Sequence, residues 1–186
     1  MSIKRETAGS RKRYWKCPVE SDEMKRRALR AGTEGLANLY EQVTFDEVHR
    51  QVLHLIPVEP ARVLEIGAGA GRDAAALSAR GHTVVAVEPS DEFRGIGQRV
   101  HAGHRIQWVN DKLPELGTVA RLNRPFQLIM LTAVWMFLHG GERDRAVSRI
   151  QELLSEGGRL GVVLRIGPVP YLRRRLYLSP PLEGSA

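Results

Sequence analysis

A single cysteine, Cys17, stands among 186 residues. No internal disulfide can form, so the fold must rest on a packed core, and the thiol usage fits a reducing cytoplasm. No apolar run approaches the roughly 20 residues that span a bilayer. The opening Met-Ser-Ile-Lys-Arg-Glu-Thr has no apolar segment behind it, so no secretory signal is expected. The chain also lacks self-similarity at the period of roughly 20–50 residues that marks repeat architectures. These absences exclude a disulfide scaffold, a membrane span and a solenoid. No metal site is expected.

What is present is a globular composition with basic ends. Hydrophobic residues make up 42% and charged residues 26%, enough for one domain with a real core. The net charge of +7 is uneven: residues 1–35 carry +5, residues 36–164 carry −1 and residues 165–186 carry +3. The core is therefore a poor electrostatic binder of nucleic acid. Residues 1–32, with Arg11-Lys12-Arg13 and Lys25-Arg26-Arg27, read as a flexible basic leader. An RNA-binding arm using Tyr14 and Trp15 for stacking is the sharper alternative. Residues 33–166 read as the folded domain and residues 167–186 as a short basic, Pro-containing tail.

Within the domain, strands of four to seven residues alternate with helices. Thr44 and Glu47 form a capping box, and Val48, Val52, Leu55 and Ile56 follow at helical spacing until Pro57. Val63, Leu64 and Ile66 make a buried strand interrupted by Glu65, and Gly67, Gly69 and Gly71 turn the chain into a helix from Arg72 to Arg80, ended by Gly81. Val84–Val87 is a second strand, with Ser90 as N-cap of a helix weakened by Gly95, Gly97 and Gly103. Ile106–Val109 and Phe126–Thr132 are the third and fourth strands, and Leu113–Leu116 is a loop or short turn. Ala146, Val147, Ile150, Leu153 and Leu154 share a helical face, Gly157-Gly158 turns the chain, and residues 160–166 form a fifth strand. This order predicts an α/β fold, a doubly wound, mostly parallel sheet with helices on both faces. Ligands bind beyond the carboxyl ends of such strands. Glu65 to Gly71, Glu88, Asp111 and Thr132 to Trp135 all fall there.

The glycine spacing separates two cofactor classes. A dinucleotide loop needs G-x-G-x-x-G, but position 72 is Arg72 and the chain reads Glu65-x-Gly67-x-Gly69-x-Gly71. A pyrophosphate wants a helix N-terminus as an anion site, whereas a sulfonium with an amino-acid tail suits a nearby acid such as Glu65. The run, with Glu88 17 residues after Gly71, Asn110-Asp111 after the third strand and Gly157-Gly158 before the fifth, resembles the Rossmann-like class I S-adenosylmethionine-dependent methyltransferases over roughly residues 40–166. The resemblance implies S-adenosylmethionine as cofactor, held by Glu65, Gly67, Ala68, Gly69, Gly71, Glu88, Pro89, Asn110, Asp111 and Thr132. It gives Glu88 the ribose hydroxyls and Asp111 the adenine amino group. Plainer readings stand beside it: a tight turn for the glycines, a solvated acid for Glu88 and a helix cap or loop acid for Asp111.

The implied activity is methyl transfer to an unidentified, small-molecule acceptor. His139 is the first candidate for a catalytic base, although a structural role is the commoner fate of such a histidine. Trp135, Met136 and Phe137 read as core or lid packing. Thr132-Ala133-Val134-Trp135 occupies the place of the Asn/Asp-Pro-Pro-Tyr segment of amino-directed nucleic-acid enzymes, and Cys17-Pro18 does not resemble the Pro-Cys of C5-pyrimidine enzymes. The tail after Gly167 is shorter than the family's final helix and two strands, so those strands of the usual seven-stranded sheet are expected to be missing. That would leave the fifth strand an unpaired edge. The alternatives are a weakly active or inactive cofactor-binding protein and an RNA-associated protein using its basic ends.

Overall fold

The computed structural model describes residues 32–164, so the expected basic leader and tail lie outside the described residues. Two short helices, α1 (Gly32–Glu41) and α2 (Phe45–His49), and a 3-10 turn (Leu53–Leu55) precede β1 (Arg62–Ile66). Then follow α3 (Arg72–Ala79), β2 (Thr83–Val87), α4 (Asp91–Val100), β3 (Ile106–Val109), α5 (Gly117–Ala120), β4 (Phe126–Thr132), a 3-10 turn (Trp135–Phe137), α6 (Gly140–Leu153) and β5 (Leu154–Val163). The described strands form one sheet in the order β3-β2-β1-β4-β5, and every pairing is parallel. The α/β, doubly wound expectation holds. The chain winds one way from β1 through β2 to β3, then returns to β4 on the other side of β1. In open α/β sheets such a reversal, here beyond the carboxyl end of β1, is where ligands bind.

Strand residues alternate between faces, and both faces are covered. Leu64, Ile66, Val85, Val87, Ile129 and Leu131 pack with Ala146, Ile150 and Leu153 of α6. Val63, Val84, Ala86, Leu128 and Met130 pack with Ala74 and Leu77 of α3 and Phe45 of α2. Each large side chain so buried contributes about 1.5–3 kcal/mol over exposure, so short strands suffice to fix the register. A third cluster joins Leu36, Ala37 and Leu39 of α1 to Phe93 and Ile96 of α4 and to Ala70 in the glycine turn. The helix before the sheet is thereby seated against the turn.

Several sequence expectations need correction. The capping box is present, with the Glu47 N–H donating to Thr44 Oγ1 and the Thr44 N–H to Glu47 Oε2, but the helix stops at His49 and a 3-10 turn replaces its second half. The buried side is Phe45, His49 and Ile56, while Leu55 is exposed. A short helix, α5, follows the turn at Leu113–Leu116. Val147 is exposed, and Leu154 already belongs to β5. Gly157-Gly158 is a bulge within that strand rather than a turn ahead of it: Leu154 pairs with Phe126 and Arg159 with Leu128, so residues 155–158 loop out opposite Gln127. Among the described residues β5 pairs with β4 alone, and its Leu160 and Val162, with Leu164 just after it, are exposed.

The glycine-containing α4 forms for a packing reason. A Cβ at Gly97 would lie 2.4 Å from the Trp108 ring and 2.6 Å from the Ala70 carbonyl oxygen. The loss of helix propensity is exchanged for close approach of α4 to both β3 and the glycine turn. Ser90 caps the helix, its Oγ accepting the Phe93 N–H at 3.3 Å. Gly97→Ala is expected to destabilise the protein by about 1–3 kcal/mol through overpacking. In urea unfolding its midpoint should fall at unchanged slope; an unchanged midpoint would contradict the packing.

Candidate functional site

The glycine turn is built between two strand ends. Gly67, Gly69 and Gly71 all have positive φ, at 75°, 58° and 95°, where a side chain is strained. The Gly67 and Ala68 N–H groups donate to the Val87 carbonyl at 2.8 and 2.9 Å, which ties the turn to the end of β2. The next residue of that strand end is Glu88, 1% exposed. Its Oε2 accepts the Gly69 N–H at 2.8 Å and its Oε1 the Ser90 N–H at 3.1 Å. Gly71 then caps α3, and the Trp108 ring lies 2.7 Å from where its Cβ would be.

A second buried acid governs the start of α3. Asp73 is 2% exposed. Its Oδ1 accepts Arg72 Nε at 2.6 Å, and its Oδ2 accepts His49 Nε2 at 2.8 Å and Thr132 Oγ1 at 3.0 Å. Burial pushes its pKa up, but the His49 hydrogen bond, the Arg72 and His49 charges and the Arg72 hydrogen bond outweigh it and hold the carboxyl well below the usual aspartate range. Arg72 donates to the Tyr40 carbonyl at 3.3 Å. Burial lowers the Arg72 pKa, but Asp73, Glu65 and Glu41 raise it further, so the net shift is upward. Glu65, 2% exposed in β1, is thus faced by a cation, which is what an acid inside an apolar strand requires.

A family model described as a methyltransferase domain matches residues 63–158, more than half of the chain and the whole span from β1 to the β5 bulge. The chain belongs to this methyltransferase domain family. It is similar to an uncharacterised methyltransferase of Bacillus cytotoxicus, 28% identical over 128 residues, covering 65% of this chain and 51% of that protein. Its fold is similar to a TehB-like SAM-dependent methyltransferase from Corynebacterium glutamicum, with TM-score 0.56, 22% identity and 72% of each chain covered. It is also similar to a glycopeptide N-methyltransferase crystallised with S-adenosyl-L-methionine, with TM-score 0.52, 21% identity, and 63% of this chain and 52% of that one covered. The chain spans about half the length of the curated relatives it matches.

In this methyltransferase domain the expected site residues separate into three groups. Glu65, Gly67, Ala68, Gly69, Gly71 and Glu88 meet at the carboxyl ends of β1 and β2, with Pro89 half-buried beside them. Thr132, at the end of β4, joins them through Asp73. Asp111 acts as a cap: its Oδ2 accepts the Thr118 and Val119 N–H groups at 2.7 and 3.0 Å and its Oδ1 the Lys112 N–H at 2.9 Å. Its neighbour Asn110 is exposed. His139 is exposed and opens α6, its N–H donating to Glu142 Oε2 at 2.9 Å. Sequence reasoning missed His49, Arg72 and Asp73. The acid in the first turn of a helix was visible, but its burial against α2 and β4 is a tertiary fact.

Because the folded pKa of Asp73 is depressed, its contribution to stability is present above the unfolded value near 3.9 and is lost as pH falls through that value toward the lower folded one. Between about pH 5 and 2 the unfolding free energy of the native protein should therefore drop more steeply than that of Asp73→Asn. Parallel pH dependences in chemical unfolding would show that Asp73 is not the buried, paired acid described.

Proposed function

We propose that this chain is an S-adenosylmethionine-dependent methyltransferase whose cofactor sits in the crevice beyond β1 and β2 and whose acceptor is a small molecule. The observation that carries the reading is the hydrogen bond from the Gly69 N–H to the buried Glu88 carboxylate. It joins a turn that admits close backbone approach to a buried acid at the end of β2. The donor set fits the group: Glu88 suits a ribose diol, Glu65 lies on the side where the cofactor's positive charges would be favoured, and Arg72 stands beside the turn for a carboxylate. When bound, S-adenosylmethionine supplies a methyl group already activated by its sulfonium. The protein's part is to bind and to orient. Glu88 accepts hydroxyl hydrogen bonds, the Gly67–Gly71 turn allows close backbone approach without side chains in the way, and α1 packs against the turn at Ala70. Holding donor and acceptor in line can contribute ~7–11 kcal/mol of barrier reduction, and no strong base is obligatory.

A small-molecule acceptor is supported by Thr132-Ala133-Val134-Trp135 in place of a nucleic-acid amino-directed segment, and by the near-neutral charge of residues 36–164. One cysteine in 186 residues supports a cytoplasmic setting; among the described residues, no helix is long and apolar enough to cross a membrane.

Isothermal titration with S-adenosylmethionine should give saturable binding that weakens about 10–100-fold in Glu88→Gln, the scale of lost hydrogen bonds to a charged acceptor at ~1.5–3 kcal/mol. Unaltered affinity in that variant would overturn the assigned role of Glu88. Transfer of a labelled methyl group to a panel of small molecules, RNA and protein tests the acceptor class. Label in RNA or protein alone would contradict the small-molecule assignment.

A further inference from the structure

We propose that His49 and Asp73 are positioning residues for the cofactor turn, one buried carboxylate fixing the glycine turn to the end of β4 and to the helix before β1. The inference rests on the cofactor reading above. It concerns residues that neither the glycine motif nor the acid after β2 includes.

Three features carry it. The Asp73 carboxylate takes one donor from each of three segments: Arg72 at the first turn of α3, His49 at the last residue of α2 and Thr132 at the last residue of β4. Arg72 extends the link to the Tyr40 carbonyl in α1. Rotation of any one of these elements must therefore displace the turn. The side chains of His49 and Asp73 are 0% and 3% exposed, and the Asp73 oxygens are taken up by His49, Arg72 and Thr132, so the pair acts through the turn it holds.

The third feature is that the arrangement is poorly explained by stability alone. Buried ion pairs are often no better than well-packed apolar side chains of the same volume. His49 donates from Nε2 to the Asp73 carboxylate, and His49 Nδ1 is buried with no hydrogen-bond partner. A buried atom left unpaired is unfavourable. It is accepted here alongside a directed donor that an apolar residue could not supply. The ring also packs on Phe45, with centroids 4.4 Å apart, so it transmits the position of α2 to Asp73.

The test uses the whole chain, with S-adenosylhomocysteine as probe, well below each variant's melting temperature. His49→Leu should weaken binding at least about tenfold, while His49→Gln, which keeps an N–H, should stay within about threefold. In the ligand-free protein, amide hydrogen exchange of residues 67–73 should quicken in His49→Leu while that of residues 84–87 is unchanged. A lower melting temperature with native-like affinity, or exchange that rises uniformly, would reduce the pair to a structural role and overturn the proposal. If His49→Leu does not fold, Thr132→Val, which removes one donor with little change of shape, carries the same exchange expectation. Failure of the native protein to bind the probe would instead overturn the cofactor reading, and the exchange result would still decide whether the pair orders the turn.

Discussion

The Asp73 carboxylate is the constraint on which the rest of the crevice depends. It is an ionised group with almost no access to water, which is costly unless every charge and lone pair is met. Arg72, His49 and Thr132 meet it from three directions. Because each comes from a different element, satisfying one carboxylate sets the relative position of α2, α3 and β4. The apolar clusters on the two sheet faces would hold the strands together without it. They are non-directional, so the directed contacts between α2, the start of α3 and the end of β4 come from this carboxylate.

With the turn so fixed, the ligand chemistry of the crevice follows from a short stretch of backbone. The turn is hydrogen-bonded to Val87 through two N–H groups and to Glu88 through a third. The acid that ends β2 is therefore placed by the same atoms that shape the turn. Close packing behind it, Trp108 against Gly71 and Gly97, leaves no room for the turn to retreat. On the cofactor reading proposed above, this backbone edge, the buried Glu88 and the nearby Arg72 guanidinium would select a ligand by placement rather than by volume.

Much of this was legible in the sequence. Short apolar runs separated by turn residues located the first four strands within a residue or two, because a strand covered on both faces has little choice of composition. The glycine spacing with Glu65 and Glu88 pointed to the crevice, because positive φ and an interior acid both leave local marks. Other parts had no local mark. The helix after Thr44 stops at His49, whose side chain contacts Asp73, 24 residues away in sequence. Gly157-Gly158 read as a turn because nothing local distinguishes a turn from a bulge opposite Gln127. Asp111 resembles a ligand acid by its place after β3, and the helix-cap role read beside it is seen in the three backbone N–H groups its oxygens accept. Buried polar groups are assigned by tertiary structure, and short sequence windows do not contain it.

The central claim, that the crevice beyond β1 and β2 is the cofactor site, is tested most directly by following backbone amide resonances during titration with S-adenosylhomocysteine. Saturable shifts at Gly67–Arg72 and at Glu88 and Ser90, with little change at Gly103–Arg105 on the opposite end of the sheet, are the predicted result. Saturable shifts that spare both the glycine turn and the end of β2 would contradict the account.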